Sequence, residues 1–99
     1  MLSWLMEWYN NQCDGDWEHY YGVKIDTIDN PGWNIEIDTT ESEKELEDLP
    51  WQWHEIAEND WYGYKVENSV FIGSSDPKKL EKLISIFKSL IEGSTDAEI

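Results

Sequence analysis

At 99 residues the chain is large enough for one hydrophobic core and too small for two. Twenty-two Asp and Glu against seven Lys leave a net charge of −15, a field that repels nucleic acid and anionic membranes and attracts basic proteins. Seven Trp are too many for a disordered acidic chain, and no apolar run approaches the ~18 residues of a membrane span.

The charge is unevenly placed: residues 1–60 carry sixteen acids and two lysines, residues 61–99 six acids and five lysines. Cys13 is the only cysteine, so no internal disulfide can form, which suits a reducing compartment. Met1 to Cys13 lacks the basic n-region of a secretory signal, and the expected location is the cytoplasm.

In chain order, Met1 to Gln12 reads as a short helix. Leu2, Leu5, Met6, Tyr9 and Cys13 recur every three or four residues as an apolar stripe, with Trp4 and Trp8 on an adjoining face. Gly15 is suited to closing it. Tyr21 to Ile28 and Trp33 to Thr39 alternate as strands, joined by Asp29-Asn30-Pro31-Gly32, whose Pro-Gly order suits a type II turn. Parity constrains this hairpin. Its apolar faces match only with an odd-length loop that sets Thr27 opposite Trp33, Ile25 opposite Ile35 and Val23 opposite Ile37. That register leaves Asp26, Glu36 and Asp38 on the other face, and Trp33 at the end of the core face.

Thr40 to Asp48 is polar and acidic and reads as a loop or one weak helical turn. Trp51 to Glu58 reads as a third strand with Trp51 and Trp53 on one face and His54 and Ile56 on the other. Asn59-Asp60 is a turn pair. Trp61 to Glu67 follows as a strand, and the two-residue turn Asn68-Ser69 sets Val66 opposite Phe71 and Tyr64 opposite Gly73. Asp76 as N-cap, Pro77 at the first helical position and Gly93 as the stop frame a C-terminal helix. Its stripe is Leu80, Leu83, Ile84, Phe87, Leu90 and Ile91, with Lys78, Lys79, Lys82 and Lys88 on wetter faces. The expected architecture is α+β: an N-terminal helix, an antiparallel meander of about four to five strands and a C-terminal helix, both helices on one face. Residues 1–93 form the expected single domain and 94–99 a short polar tail.

The chemistry concentrates in Cys13-Asp14-Gly15-Asp16-Trp17-Glu18-His19. An EF-hand would need a longer ligand series ending in a bidentate Glu, and a zinc site would need paired Cys or His ligands. The carboxylates around Cys13 disfavour a thiolate nucleophile. Paired carboxylates could serve glycoside hydrolysis, but so small a chain offers little to build a deep sugar cleft. No Gly-rich phosphate loop is present. Two readings of the stretch stay open. It is an ordinary helix-to-strand connection, with Asp14 or Asp16 satisfying backbone amides, Trp17 plugging the core and His19 a spacer. Or it presents an acidic, aromatic edge to a partner.

The run Trp4-Leu5…Glu7-Trp8-Tyr9…Gln12-Cys13-Asp14-Gly15-Asp16-Trp17-Glu18-His19, then Tyr21-Gly22-Val23-Lys24-Ile25 and Thr27-Ile28-Asp29-Asn30-Pro31-Gly32-Trp33, resembles the immunity protein 53 family of bacterial polymorphic toxin systems. Asn59-Asp60-Trp61, Lys65-Val66-Glu67, Phe71-Ile72-Gly73 and Leu80 to Phe87 extend the likeness, while residues 40–58 depart from it. The resemblance implies a cytoplasmic antidote that binds and neutralises a cognate toxin domain, without catalysis of its own, and no cofactor or metal is expected. The acidic balance suits a basic toxin, such as a nuclease whose phosphate-binding cleft an acidic partner can fill. No nucleic-acid or membrane partner is expected, and the chain is expected to be a monomer or weak dimer. The candidate partner-binding residues are Asp14, Asp16, Trp17, Glu18, His19, Asp29, Asn30, Trp33, Glu36, Asp38, Trp53 and Trp61, with Asp26 and Trp51 beside them. The alternatives are a small metal-dependent hydrolase built on Asp14, Asp16 and His19, or an acidic module for another basic protein.

Overall fold

The computed structural model describes residues 1–93, and the expected tail at 94–99 lies outside them. The elements are α1 (Leu2–Gln12), α2 (Trp17–Tyr20), β1 (Val23–Ile28), β2 (Gly32–Asp38), β3 (Leu49–Ala57), β4 (Asp60–Glu67), β5 (Val70–Ser75) and α3 (Leu80–Glu92). The fold is α+β, an N-terminal helix, five antiparallel strands in an open sheet and a C-terminal helix.

The strand order is β1-β2-β5-β4-β3. The sequential meander is therefore interrupted once: β1–β2 and β3–β4–β5 are each continuous, and β2 meets β5 instead of β3. The 39–48 segment makes the crossing, without any helical turn of its own. Thr39, fully buried, anchors that crossing. Its Oγ1 donates to the Ser69 carbonyl at 2.6 Å and accepts from the Leu46 amide at 3.0 Å.

The first hairpin has the parity-derived register: Val23 opposite Ile37, Ile25 opposite Ile35 and Thr27 opposite Trp33. The loop is the three residues 29–31, since Ile28 pairs with Gly32. The type II turn is not formed, because Gly32 has no positive φ; the Asn30–Pro31 peptide is cis. Gly32 is needed for proximity instead, since a Cβ there would lie 2.1 Å from the Ser75 carbonyl oxygen. The β4–β5 hairpin also follows expectation, with Val66 opposite Phe71 and Tyr64 opposite Gly73. Asn68 and Ser69 both adopt positive φ, 53° and 69°, as a turn matching the strand twist requires.

One face of the sheet carries Ile35, Ile37, Val66 and Phe71, and α3 lays Leu83, Ile84 and Phe87 on it. Each such burial stabilises by about 1.5–3 kcal/mol. Gly73 lets α3 come close, with Leu83 Cδ2 3.0 Å from where its Cβ would stand. Phe87 then receives α1, its ring 5.1 Å from Trp8 and 5.9 Å from Trp4. Both helices thus share one face. The buried side of α1 is Leu5, Trp8 and Gln12, whereas Leu2, Met6 and Tyr9 of the expected stripe are exposed. The reason is Phe87, whose ring pulls the two indoles inward.

The ends of α3 divide. Gly93 closes it in the left-handed conformation (φ 67°) as expected. Asp76 does not cap it, because the helix begins at Leu80 after a turn. Asp76 instead caps that turn, accepting from the Lys78 amide at 2.8 Å, and ties it to β4 by accepting from the Trp61 amide at 2.9 Å.

Candidate functional site

The Cys13–His19 stretch is a corner between α1 and β1. Asp14 Oδ1 accepts from the amides of Asp16 and Trp17, both at 2.9 Å. Those amides hold its carboxyl below the usual carboxylate value. Glu18 reaches back and accepts from the amides of Asp14 and Gly15 at 3.0 and 2.9 Å. The two carboxylates cap the α2 turn reciprocally, and Gly15 supplies the positive φ (92°) that lets the chain reverse. α1 itself ends at Gln12, three residues before that glycine acts. Trp17 is 3% exposed, wedged against Trp8, Tyr9 and Tyr21, and its Nε1 donates to the Thr40 carbonyl at 2.8 Å. Asp14, Gly15, Asp16 and His19 are the exposed residues of this stretch, and the side chains of Asp16 and His19 make no hydrogen bond among the described residues.

Asp29 and Asn30 lie at the other end of the hairpin, exposed in the loop. The six residues of β1 separate them from the corner by about 20 Å. Trp33 is half-buried on the helix-covered face, its Nε1 donating to the Pro77 carbonyl at 2.9 Å. The corner and the loop are therefore not one contiguous patch.

The sheet face away from the helices brings the remaining candidates together. The registers set Trp53, Gly63, Ser74, Asn34 and Asp26 in one row across the sheet, and Lys65, Ile72, Glu36 and Lys24 in the next. Asp38 and Val70 belong to a third row, and Trp61 flanks the first. Trp51 joins by stacking on Trp53, rings 5.0 Å apart and 14° from parallel, while Trp53 leans on Trp61 at 6.1 Å. Lys65 Nζ sits 5.3 Å from the Trp51 ring and pairs with Glu67 at 2.6 Å. Trp51 and Trp53 remain 40% and 56% exposed. Interfaces use such indoles as anchors, a large apolar surface with few rotamers to freeze.

Gly63 and Lys65 were not among the residues singled out by sequence, although a glycine inside a strand marks a close approach. A Cβ on Gly63 would fall 2.4 Å from the Trp53 ring, so the glycine is the floor on which Trp53 lies. Gly63→Ala is expected to lift the indole while costing the fold about 1 kcal/mol or less, since the ring can swing into solvent. A red-shifted tryptophan emission with a nearly unchanged urea midpoint is the expected signature.

Among the described residues, no three His, Cys, Asp or Glu side chains gather in a way that could hold a metal. No described helix is long and apolar enough to cross a membrane. The model of the family described as immunity protein 53 matches residues 2–92. No curated protein and no solved structure matches the chain. The family match runs through the corner, all five strands and α3, and the chain belongs to the immunity protein 53 family.

Proposed function

We propose that the protein is the antidote of a polymorphic toxin system, binding a cognate toxin domain stoichiometrically in the cytoplasm and blocking it without catalysis. Family membership supports an immunity function in general. The observation that carries the binding reading is the helix-free sheet face, with a stacked, exposed Trp51–Trp53 pair in a field of carboxylates from Asp26, Glu36, Asp38 and Glu55. The indoles supply anchors and the carboxylates steer a basic partner, a nuclease being the toxin class that such a surface suits best. Asp16 adds exposed charge at the corner, and Asp29 at the hairpin loop.

The test is titration of the purified toxin domain with wild type and with the Trp51→Ala/Trp53→Ala pair, alongside protection of cells from the toxin. The double variant is expected to bind roughly 30-fold more weakly, about 2 kcal/mol. Wild-type association is expected to slow as salt is raised. Unchanged affinity and protection in the double variant would rule this face out. Asp16→Lys tests the corner separately without touching the caps held by Asp14 and Glu18, and is expected to slow association while leaving the melting temperature unchanged.

A further inference from the structure

The two edges of the sheet are unlike. β3 is a blunted edge: its pairing with β4 shifts register between Leu49 and Gln52 and again between Glu55 and Ala57, and Pro50 lacks an N–H. β1 carries none of these devices. It pairs with β2 without a break from Val23–Ile37 to Ile28–Gly32, and Lys24, Ile25, Asp26 and Thr27 are all exposed. The phase of its ladder is set by the Asp38 amide, which donates to the Gly22 carbonyl at 3.1 Å. Successive residues of an antiparallel strand turn their backbone groups to opposite sides. Gly22, Lys24 and Asp26 therefore turn theirs toward β2, and Val23, Ile25 and Thr27 turn theirs to the open edge.

Apolar surface gathers beside that edge. Leu2 (54% exposed), Met6 (63%), Tyr9 (38%), Tyr20 (74%) and Ile25 (38%) line one groove of about 660 Å³ running along α1, α2 and β1. A regular open strand next to exposed apolar side chains is a template for another strand.

We propose that a second copy of this chain occupies it, the two β1 strands pairing antiparallel about a twofold axis through Ile25, so that two five-stranded sheets become one. In that register Val23, Ile25 and Thr27 face Thr27, Ile25 and Val23 of the second copy, and all three outward-turned residues are satisfied by roughly six hydrogen bonds. Lys24 falls directly opposite Asp26 of the second copy, and Asp26 opposite its Lys24, at the close non-hydrogen-bonded positions where cross-strand charges interact best. Neither side chain has an ion-pair partner among the described residues. Moving the axis to Lys24 or Asp26 would set like charges face to face, and moving it to Val23 or Thr27 would shorten the pairing. The strand is thus self-complementary in one register, and the same register brings Ile25 onto its twin and the two apolar grooves alongside each other. This isologous contact lies at the sheet edge opposite the Trp51–Trp53 pair and shares only Asp26 with the proposed toxin-binding face.

The test is sedimentation of the full chain over a concentration series, as wild type, as Lys24→Asp, as Asp26→Lys and as an equimolar mixture of the two variants, with circular dichroism confirming that each is folded. Wild type is expected to dimerise. Each single variant sets like charges opposite each other twice and is expected to dimerise about tenfold more weakly. The mixture is expected to regain wild-type association, because the carboxylate introduced by Lys24→Asp then meets the ammonium introduced by Asp26→Lys. A wild type that stays monomeric at millimolar concentration, single variants that dimerise as well as wild type, or a mixture that stays as weak as its components would each overturn the proposal. Loss of toxin binding in both variants with a monomeric wild type would assign the edge to a toxin strand and also overturn it.

Discussion

Phe87→Ala is expected to destabilise the fold by about 4 kcal/mol. The ring is fully buried and links the sheet to both indoles of α1, at 5.4 Å from Phe71, 5.1 Å from Trp8 and 5.9 Å from Trp4. Truncation removes the transfer energy of the ring, leaves a cavity under two helices and deletes three edge or tilted aromatic contacts. Urea unfolding followed by tryptophan emission measures it, since Trp4 and Trp8 report directly on the site. A cost below about 1.5 kcal/mol would mean that α1 is not held through this ring.

Asp76→Ala is expected to cost about 3 kcal/mol although it removes no apolar surface. Asp76 is 1% exposed, and its carboxylate accepts from the Trp61 and Lys78 amides and pairs with Lys79, which also reaches Asp60 at 2.5 Å. Alanine strands two amides and leaves Lys79 with Asp60 alone. Burial pushes the Asp76 carboxyl up, but the Lys79 ammonium and the two amides outweigh it and hold the group below its ordinary value. A depressed folded pKa gives stability that is complete above the unfolded value and lost as pH falls through the folded one. The gap between wild type and Asp76→Ala is therefore expected to be full at neutral pH and to narrow below about pH 4. On the alkaline side, Asp60 and Asp76 raise the Lys79 pKa, so its contribution is lost only as pH rises through that elevated value. Thermal melts of both proteins between acidic and neutral pH check the acid limb. A constant gap would remove Asp76 as its source.

The β1–β2 and β4–β5 hairpins were legible in the residues because a one-residue slip turns every apolar side chain to the wrong face, whereas the β3–β4 register, which shifts twice, was not. Val23, Ile25, Ile35 and Ile37 admit one register, and Val66 with Phe71 another. The α3 stripe was legible for the same reason at helical period. The meeting of β2 and β5 was not, because no turn joins them and the match of Ile35 with Gly73 carries no local signal. The buried side of α1 was not legible either, because every candidate face was apolar or aromatic, and only the position of Phe87 selects Trp8 over Met6. The four residues of α2 are too few to show a period. Of the candidate surface, Glu36, Asp38, Trp53 and Trp61 share a face by strand parity, which alternation implied for Glu36 and Asp38 but left ambiguous for Trp53. Trp17 and Trp33 do not join them, because a tryptophan in a rich pattern looks the same whether its N–H ends on Thr40 or on Pro77 inside the fold, or in water.

The position of β5 bears on how the chain assembles. It is the last of the sheet's five strands to be synthesised, yet it lies at the centre of the sheet, between β2 and β4. During synthesis the first 69 residues can form two separate hairpins, each marginal alone, with no shared core to hold them. Joining them requires closing the long loop between β2 and β5, a contact of high sequence separation whose entropic cost precedes any reward. Folding should therefore be late and abrupt, an event of the C-terminal third in which β5 inserts and α3 seals it. Until then the tryptophans of both halves stay open to other chains, and the high negative charge of the first 60 residues is the protection they have against association.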